Sequence, residues 1–347
     1  MAEETVKNIL VIGPSWVGDM VMSQALFMCL KKENPDSQIT VMAPNWTRPL
    51  LDRMPEVDSS MDMEIGHGEL RLAARRKLGK SLRSSNFTQA IVLPQSFKSA
   101  LVPFYADIPL RTGWRGELRN LLLNDCRSPQ DEQFPLMVQR FAALAYPERN
   151  NPPAEIPNPR LVTDAESTAA TISKFCLIRD SKVLAICPGA EFGEAKQWPS
   201  EYYAELSNSM LARGWQVWLF GSANDELVAE AILADIDNRY LEQCQNLVGR
   251  TYLAEAIDLM SLADTVISND SGLMHVAAAL MKPVVAIYGS TSPDFTPPLA
   301  EKVKLLATDI ECRPCFKREC PYGHLRCLTE LKPELAMASV ESFSAKE

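Results

Sequence analysis

The feature that most limits what this chain can fold into is an alternation, run through twice, of short β-branched apolar segments and longer amphipathic ones. In the first run, segments at 8–12, 39–43, 61–65, 90–93 and 110–112 read as strands, with a helix from about 19 to 32 and another over 69–84. In the second, strands at 183–187, 216–220, 245–247, 265–268 and 284–288 are separated by helices near 200–213, 225–235, 253–262 and 272–280. Short apolar runs bounded by turn residues and separated by helices mark βα units around a parallel sheet, so the chain reads as α/β. Between the runs, at 146–159, the segment YPERNNPPAEIPNP carries five prolines and few apolar side chains, the composition of a linker. It divides the 347 residues into 1–160 and 161–347, each of ordinary domain size. The expected architecture is two doubly wound, Rossmann-like domains. Because open parallel sheets bind ligands beyond the carboxyl ends of their strands, two such domains facing each other would enclose a cleft.

Composition narrows the function. Hydrophobic residues at 46% and charged residues at 23% suffice for two buried cores. No apolar run reaches the roughly 18–20 residues of a membrane span. No basic segment followed by a cleavable apolar stretch opens the sequence, so a cytosolic location is expected. Nine cysteines, an odd number, read as thiols or metal ligands rather than a bridged framework. The net charge of −9 argues against a nucleic-acid partner. It is also uneven: residues 1–160 carry 19 Lys+Arg and 18 Asp+Glu, against 16 and 26 in residues 161–347. The N-terminal half is therefore the better match for an anionic partner. Its basic residues Arg71, Arg75, Arg76, Lys77, Lys80 and Arg83 cluster around Leu70, Ala74, Leu78 and Leu82. That spacing of four predicts a helix with its apolar side packed and its basic side solvated.

Three loops follow strands in a way that suits chemistry. In NILVIGPSWVGDMVMS, Gly13 and Gly18 bracket a turn and Asp19 stands at the mouth of a helix, where the helix dipole favours a carboxylate. Asp19 reads either as a helix cap or as a general base at the end of the first strand. Neither the phosphate-binding Gly-Lys-Ser/Thr nor the three-glycine dinucleotide pattern is present. In CPGAEFGEAKQWP, residues 187–199, the small residues Gly189, Ala190 and Gly193 let backbone N–H groups approach an anion, and Lys196 adds a compact positive charge. This is a candidate diphosphate cradle, against the alternative of an ordinary βα loop. In VISNDSGLMHVAAALMKPVVAIYG, residues 266–289, Asn269-Asp270-Ser271-Gly272 opens a helix whose N–H groups can face an anion, and Asp270 could hold ribose hydroxyls. His275 lies one turn on, toward the same mouth as Lys196; a lone histidine on an alanine-rich helix also reads as simple packing.

A fourth motif is Cys312, Cys315, Cys320 and Cys327, spaced C-x2-C-x4-C-x6-C, with His324 as a substitute ligand. Four thiols this close match a structural zinc site, although the second pair departs from C-x2-C. The alternative is a cysteine-rich loop without metal; an iron–sulfur cluster has no other redox feature beside it.

Taken together, GPSWVGDMVMSQAL, MAPNW, GHGELRLAARRKLGKSLR, LPQSFKSALVPF, RTGWRGE, CPGAEFGEAKQWP, LFGSANDE, NDSGLMHVAAAL and YGSTSPDFTPPL resemble the lipopolysaccharide heptosyltransferases of glycosyltransferase family 9. The resemblance runs over residues 9–299 and favours the branch that adds the second heptose over the one that adds the first. It implies an inverting, ADP-heptose-dependent transferase of the two-Rossmann-domain (GT-B) type, with an acceptor-binding domain over 1–160 and a nucleotide-sugar domain over 161–347. It implies Asp19 as base. The donor would be held by Gly189, Ala190, Lys196, Asp270, Ser271, Gly272 and His275, and the adenosine by Gly221, Ser222, Glu226, Gly249 and Thr251. Lys98, Arg111 and Arg115 would meet anionic groups of the lipid A-core acceptor. The enzyme would work on the cytoplasmic face of the inner membrane as a peripheral protein, with no metal in the reaction. Structural zinc at the cysteine loop gains nothing from the resemblance. Three other readings stand beside it: a first heptosyltransferase or related GT-B enzyme, a non-catalytic nucleotide-sugar-binding protein, and a zinc-organised interaction module.

Overall fold

A computed structural model describes residues 6–66, 68–128, 133–147 and 155–344, so residues 148–154 of the proline-rich segment lie outside the described residues. The chain divides into two units, Met1–Pro159 and Arg160–Glu347. Each is built on one six-stranded sheet in which every pairing is parallel. The first contains β1 (Asn8–Ile12), β2 (Gln38–Ala43), β3 (Ser59–Asp62), β4 (Gln89–Val92), β5 (Leu110–Trp114) and β6 (Asp125–Arg127), in the order β3-β2-β1-β4-β5-β6. The second contains β7 (Val183–Cys187), β8 (Gln216–Leu219), β9 (Cys244–Asn246), β10 (Thr265–Asn269), β11 (Val284–Ile287) and β12 (Val303–Leu306), in the order β12-β11-β10-β7-β8-β9.

Counted from its own first strand, each unit has the order 3-2-1-4-5-6 of the dinucleotide-binding fold. The central strands β1, β7 and β10 are almost wholly buried, and β1 and β7 accordingly read as nearly continuous apolar runs, whereas β10 also buries Thr265, Ser268 and Asn269. Strand order reverses between β1 and β4 in the first unit and between β7 and β10 in the second. At such a point the connections leave in opposite directions and open a crevice at the carboxyl ends of the strands.

Three expectations needed correction. The edge strands β6 and β12 carry too few apolar residues to announce themselves: β6 is Asp-Cys-Arg, and β12 has exposed Lys304 and Leu305 at its centre. The third strand lies at Ser59–Asp62 rather than 61–65, placed by its register with β2 (Met42 opposite Met61). The basic helix is shorter than its periodicity predicts, Leu72–Ser81, and Leu70 lies outside it and exposed. Its packed side carries Arg75 and Gly79 alongside the expected Leu78 and Leu82, which join the core of the first unit, and Gly79 sits against the backbone of Val102 and Ala106 with no room for a side chain.

Candidate active site

In the first unit β1 delivers the chain to Gly13, whose N–H bonds to Met42 O at 2.9 Å. A Cβ there would meet the Met20 side chain at 2.9 Å and those of Val41 and Ala43 at 3.2 Å, so glycine lets the chain turn out close to the sheet. The helix Val17–Glu33 begins four residues later, with extended Trp16 before it. Asp19 therefore lies inside the first turn and is not the cap residue, a correction to the capping alternative. Its partly buried carboxylate faces the positive end of the helix.

Asp19 lines a cavity of about 330 Å³ at the carboxyl ends of β1 and β4, together with Arg75, Lys98, Arg140, Trp16 and Trp114. One carboxylate among three cations gives the cavity a net positive lining. Arg75 is buried, its Nε and Nη2 donating to the carbonyls of Leu70 (2.8 Å) and Glu69 (3.0 Å). Desolvation lowers its pKa, and the nearby Glu69 carboxylate opposes that shift. Lys98 is half-buried on the short 3-10 turn Phe97–Ala100. The loop carrying it is held by the fully buried Arg119, which donates to the carbonyls of Val92 (3.0 Å) and Pro94. Desolvation pulls the pKa of Arg119 down to about 10, partly countered by Cys126 and Glu117.

The other two acceptor expectations fall elsewhere in this unit. Arg111 is occupied by the carbonyls of Leu122 (2.7 Å) and Ile108 (2.5 Å), and exposed Arg115 pairs through its backbone with Arg127 O at 2.6 Å. Neither lines the cavity. Arg75 and Arg140 do, and composition alone singled out Arg75 only as one member of a solvated run.

In the second unit the loops after β7 and β10, on either side of the strand-order reversal, meet through a buried ion pair. Lys196 Nζ lies 2.6 Å from Asp270 Oδ2, and Thr291 donates its hydroxyl to the same oxygen at 2.7 Å. Asp270 Oδ2 thus holds both Lys196 and Thr291, a structural role beside its expected one as a ribose ligand. Ser271 is the extended residue before the helix Gly272–Ala279, and its hydroxyl lies 3.1 Å from Ser268 Oγ. No side chain caps that helix, so its first N–H groups stay available to an anion beside Lys196.

Asn269, not among the expected ligands, knits the two loops together. Its Nδ2 donates to Pro188 O (2.6 Å), and its Oδ1 accepts from the Trp198 N–H (3.1 Å) and the Tyr203 hydroxyl (2.9 Å). The loops after β8 and β9 join the same group. A side chain at Gly189 would collide with the Asp225 carboxylate, and one at Gly221 would approach it at 2.9 Å. Asp225 in turn accepts from the N–H (2.8 Å) and hydroxyl (3.0 Å) of Ser222. Gly249, at φ +68°, a backbone conformation that favours glycine, donates to Gly221 O at 3.1 Å and lies beside the carboxylate of exposed Glu226. Ala190 is half-buried and accepts from Gly193 N at 3.0 Å; Thr251 turns its hydroxyl to Leu247 O at 3.2 Å. Every expected donor residue therefore belongs to this strand-end array. Asp225 was legible as the fourth residue of a Ser-x-x-Asp capping box, Ser222 to Asp225.

His275 is buried in the same helix, and desolvation lowers its pKa to about 4, Asp270 opposing and Lys196 reinforcing the shift. At neutral pH it is an uncharged imidazole, so it can donate a hydrogen bond but adds no positive charge to the cradle. The shift has a stability consequence. Above about pH 6.5 the histidine is neutral both folded and unfolded; between about 6.5 and 4 only the unfolded chain takes up the proton. As pH falls through that window the histidine is expected to remove about 3 kcal/mol of stability. Urea unfolding of His275→Gln at pH 7, 5.5 and 4 should show a shallower acid loss than the parent chain. Equal slopes would contradict the assignment.

The cysteine loop gathers its expected ligands, Cys312, Cys315, Cys320, Cys327 and His324, around one small cavity, yet among the described residues no three His, Cys, Asp or Glu side chains are arranged to hold a metal ion. The sulfur of Cys320 faces its own turn, accepting from backbone N–H groups over 322–325, chiefly Leu325, and its pKa is lowered as a result. His324 Nδ1 accepts from Arg326 N at 3.0 Å. Cys320 Sγ and His324 Nδ1 lie 4.0 Å apart.

The profile of Glycosyltransferase family 9 (heptosyltransferase) matches residues 75–326. Lipopolysaccharide heptosyltransferase 2 of Escherichia coli is 46% identical over 345 residues, 98% of this chain and 99% of that protein. The Salmonella typhimurium protein of the same name is 45% identical with the same coverage. The solved structure of E. coli ADP-heptose LPS heptosyltransferase II superposes with a TM-score of 0.88 at 45% identity, covering 98% of this chain and 99% of that one.

Proposed function

Since the chain belongs to glycosyltransferase family 9, the heptosyltransferases, we propose that it moves heptose from ADP-heptose onto the first heptose of the lipopolysaccharide inner core. The observation that carries the donor half of this reading is the Lys196–Asp270 pair at the β7/β10 switch point, beside an uncapped helix N-terminus. An ammonium and a set of free N–H groups are what a diphosphate needs. The adenosine would lie along Gly189, Gly221, Ser222, Glu226, Gly249 and Thr251. The three glycines would let a flat base and a ribose approach backbone, and the Ser222, Thr251 and Glu226 side chains would offer polar groups to them.

The cavity of the first unit would take the acceptor. Lys98, Arg75 and Arg140 would hold its carboxylate or phosphate groups, and Asp19 would receive the proton. In the transfer the acceptor hydroxyl oxygen attacks the anomeric carbon from the side opposite ADP. The carbon–oxygen bond to the β-phosphate breaks with its electron pair to ADP, the hydroxyl proton passes to Asp19, and the configuration inverts. Charge gathering on ADP is met by Lys196 and the helix N–H groups, preorganised before substrate arrives. His275 contributes as a neutral donor. Because Lys196 already supplies the cation, turnover should persist in a chelator.

Among the described residues no helix is long and apolar enough to cross a membrane. The acceptor's lipid anchor makes peripheral contact with the cytoplasmic face of the inner membrane part of this proposal.

The test is incubation with ADP-heptose and, separately, core acceptors carrying no heptose or one, with products read by mass spectrometry and EDTA in a parallel arm. Heptose should be added only to the acceptor that already has one, with and without EDTA. Transfer to the heptose-free acceptor alone would move the enzyme to the first step of the pair. ADP-heptose binding without transfer to either would make it a binding protein.

A further inference from the structure

We propose that the cysteine-rich loop over 312–327 buttresses the donor-phosphate site and that Arg313 is the positioning residue through which it does so. The inference rests on the donor reading of the Lys196–Asp270 pair and adds a residue that touches neither partner. The Arg313 guanidinium donates from Nε to Gly289 O (2.9 Å), from Nη2 to Thr291 O (2.9 Å) and from Nη1 to Thr308 O (3.1 Å). Three carbonyls from two segments are thereby held on one rigid plane. An arginine fork can do this, whereas a single ammonium has no plane to impose.

The segment so held is 289–291, immediately after β11, and Thr291 is the residue whose hydroxyl reaches Asp270. Asp270 Oδ2 is also the oxygen that holds Lys196. The path from Arg313 to the cradle ammonium is thus the Thr291 backbone, the Thr291 hydroxyl and one carboxylate oxygen.

Backbone bonds tie the same pieces together from the other side. Ser290 N donates to Ala195 O at 3.0 Å, Phe316 N to Ser290 O at 2.8 Å, and Ala195 N to Arg318 O at 3.0 Å. The loop therefore grips both 289–291 and the residue next to Lys196. The close approach is specific: Arg318 O stands 2.5 Å from where a Cβ on Gly193 would lie, and Gly193 has φ +146°, so glycine is needed there twice over. The Phe192 ring sits under Lys196 Nζ (4.8 Å) and the Arg318 guanidinium (5.3 Å), so the loop also shares the aromatic face on which the cradle lysine rests. The cavity lined by the four cysteines includes Ala195, Ser290 and Arg313, which places the thiols around the foot of this buttress.

Arg313→Ala should raise the ADP dissociation constant and the donor KM about tenfold, the weight of one hydrogen bond to a charged group, with kcat and acceptor KM little changed. Arg313→Lys should recover part of the loss. Thr291→Val keeps every backbone bond of the loop and removes only the hydroxyl to Asp270, so it should reproduce the Arg313→Ala effect on ADP even if that variant folds poorly. ADP affinity is read by calorimetry beside the melting temperature, with Lys196→Ala as reference. A lower melting temperature with ADP affinity and donor KM unchanged in Arg313→Lys and Thr291→Val would reduce the loop to plain structural support and overturn the inference. If Lys196→Ala also binds ADP normally, the donor reading itself has failed. If Lys196→Ala weakens ADP and the other variants do not, only the buttress has.

Discussion

Asp19→Ala is expected to lower kcat by about 10²–10⁴-fold, the range of a positioned general base, while ADP affinity stays near that of the parent chain. The two effects separate because the residues lie in different units: Asp19 lines the cavity of the first, whereas Lys196, Asp270 and the strand-end glycines belong to the second. Asp19→Asn sharpens the test, since the amide keeps the size of the side chain and its place in the first helical turn but accepts no proton. The two substitutions should be about equally inactive. If Asp19→Asn keeps most of the activity, the carboxylate shapes the cavity and something else takes the proton. Loss of ADP binding in either variant would mean that Asp19 acts on the donor.

Lys196→Ala carries the second large effect, and it acts on two observables at once. The Lys196 and Asp270 side chains are only 14% and 6% exposed, so truncating the lysine removes the diphosphate's cation and leaves a buried carboxylate with the Thr291 hydroxyl. Stranding one partner of a buried pair costs about 3–5 kcal/mol, so the melting temperature should fall along with ADP affinity. The affinity loss itself should be about 10²-fold or more, as for other truncated buried charges in a binding site. Combining Lys196→Met with Asp270→Asn removes the stranded charge. The double variant should regain most of the stability and none of the ADP affinity. Were ADP binding to return with the stability, the lysine would be a fold element and the diphosphate would have to be held elsewhere.

Much of this is legible in the amino-acid sequence alone. Two series of βα units, the proline-rich segment at 146–159 and the loops ending in Asp19, Lys196 and Asp270 all lie in local sequence, because strand burial, turn chemistry and helix starts are short-range properties. The long ordered strings added the family, and with it the donor and acceptor classes. The errors have a common physical cause. Arg75 reads as one more solvated cation, and only the packing of Gly79 against Val102 and Ala106 turns that side of the helix inward and brings its guanidinium to the Asp19 cavity. Arg111 reads as an acceptor ligand, whereas its bonds to Leu122 and Ile108 lie outside the cavity that Asp19 lines.

Local sequence therefore determined the number and kind of elements and which loops carry chemistry. Tertiary structure decided which charges are free to act, because a side chain's availability depends on partners supplied by residues far away in the chain. Asp270 shows the division plainly: its place at the mouth of a helix is written in Asn-Asp-Ser-Gly, but its commitment to Lys196 and Thr291, 74 residues before it and 21 after, exists only once β7, β10 and β11 lie side by side.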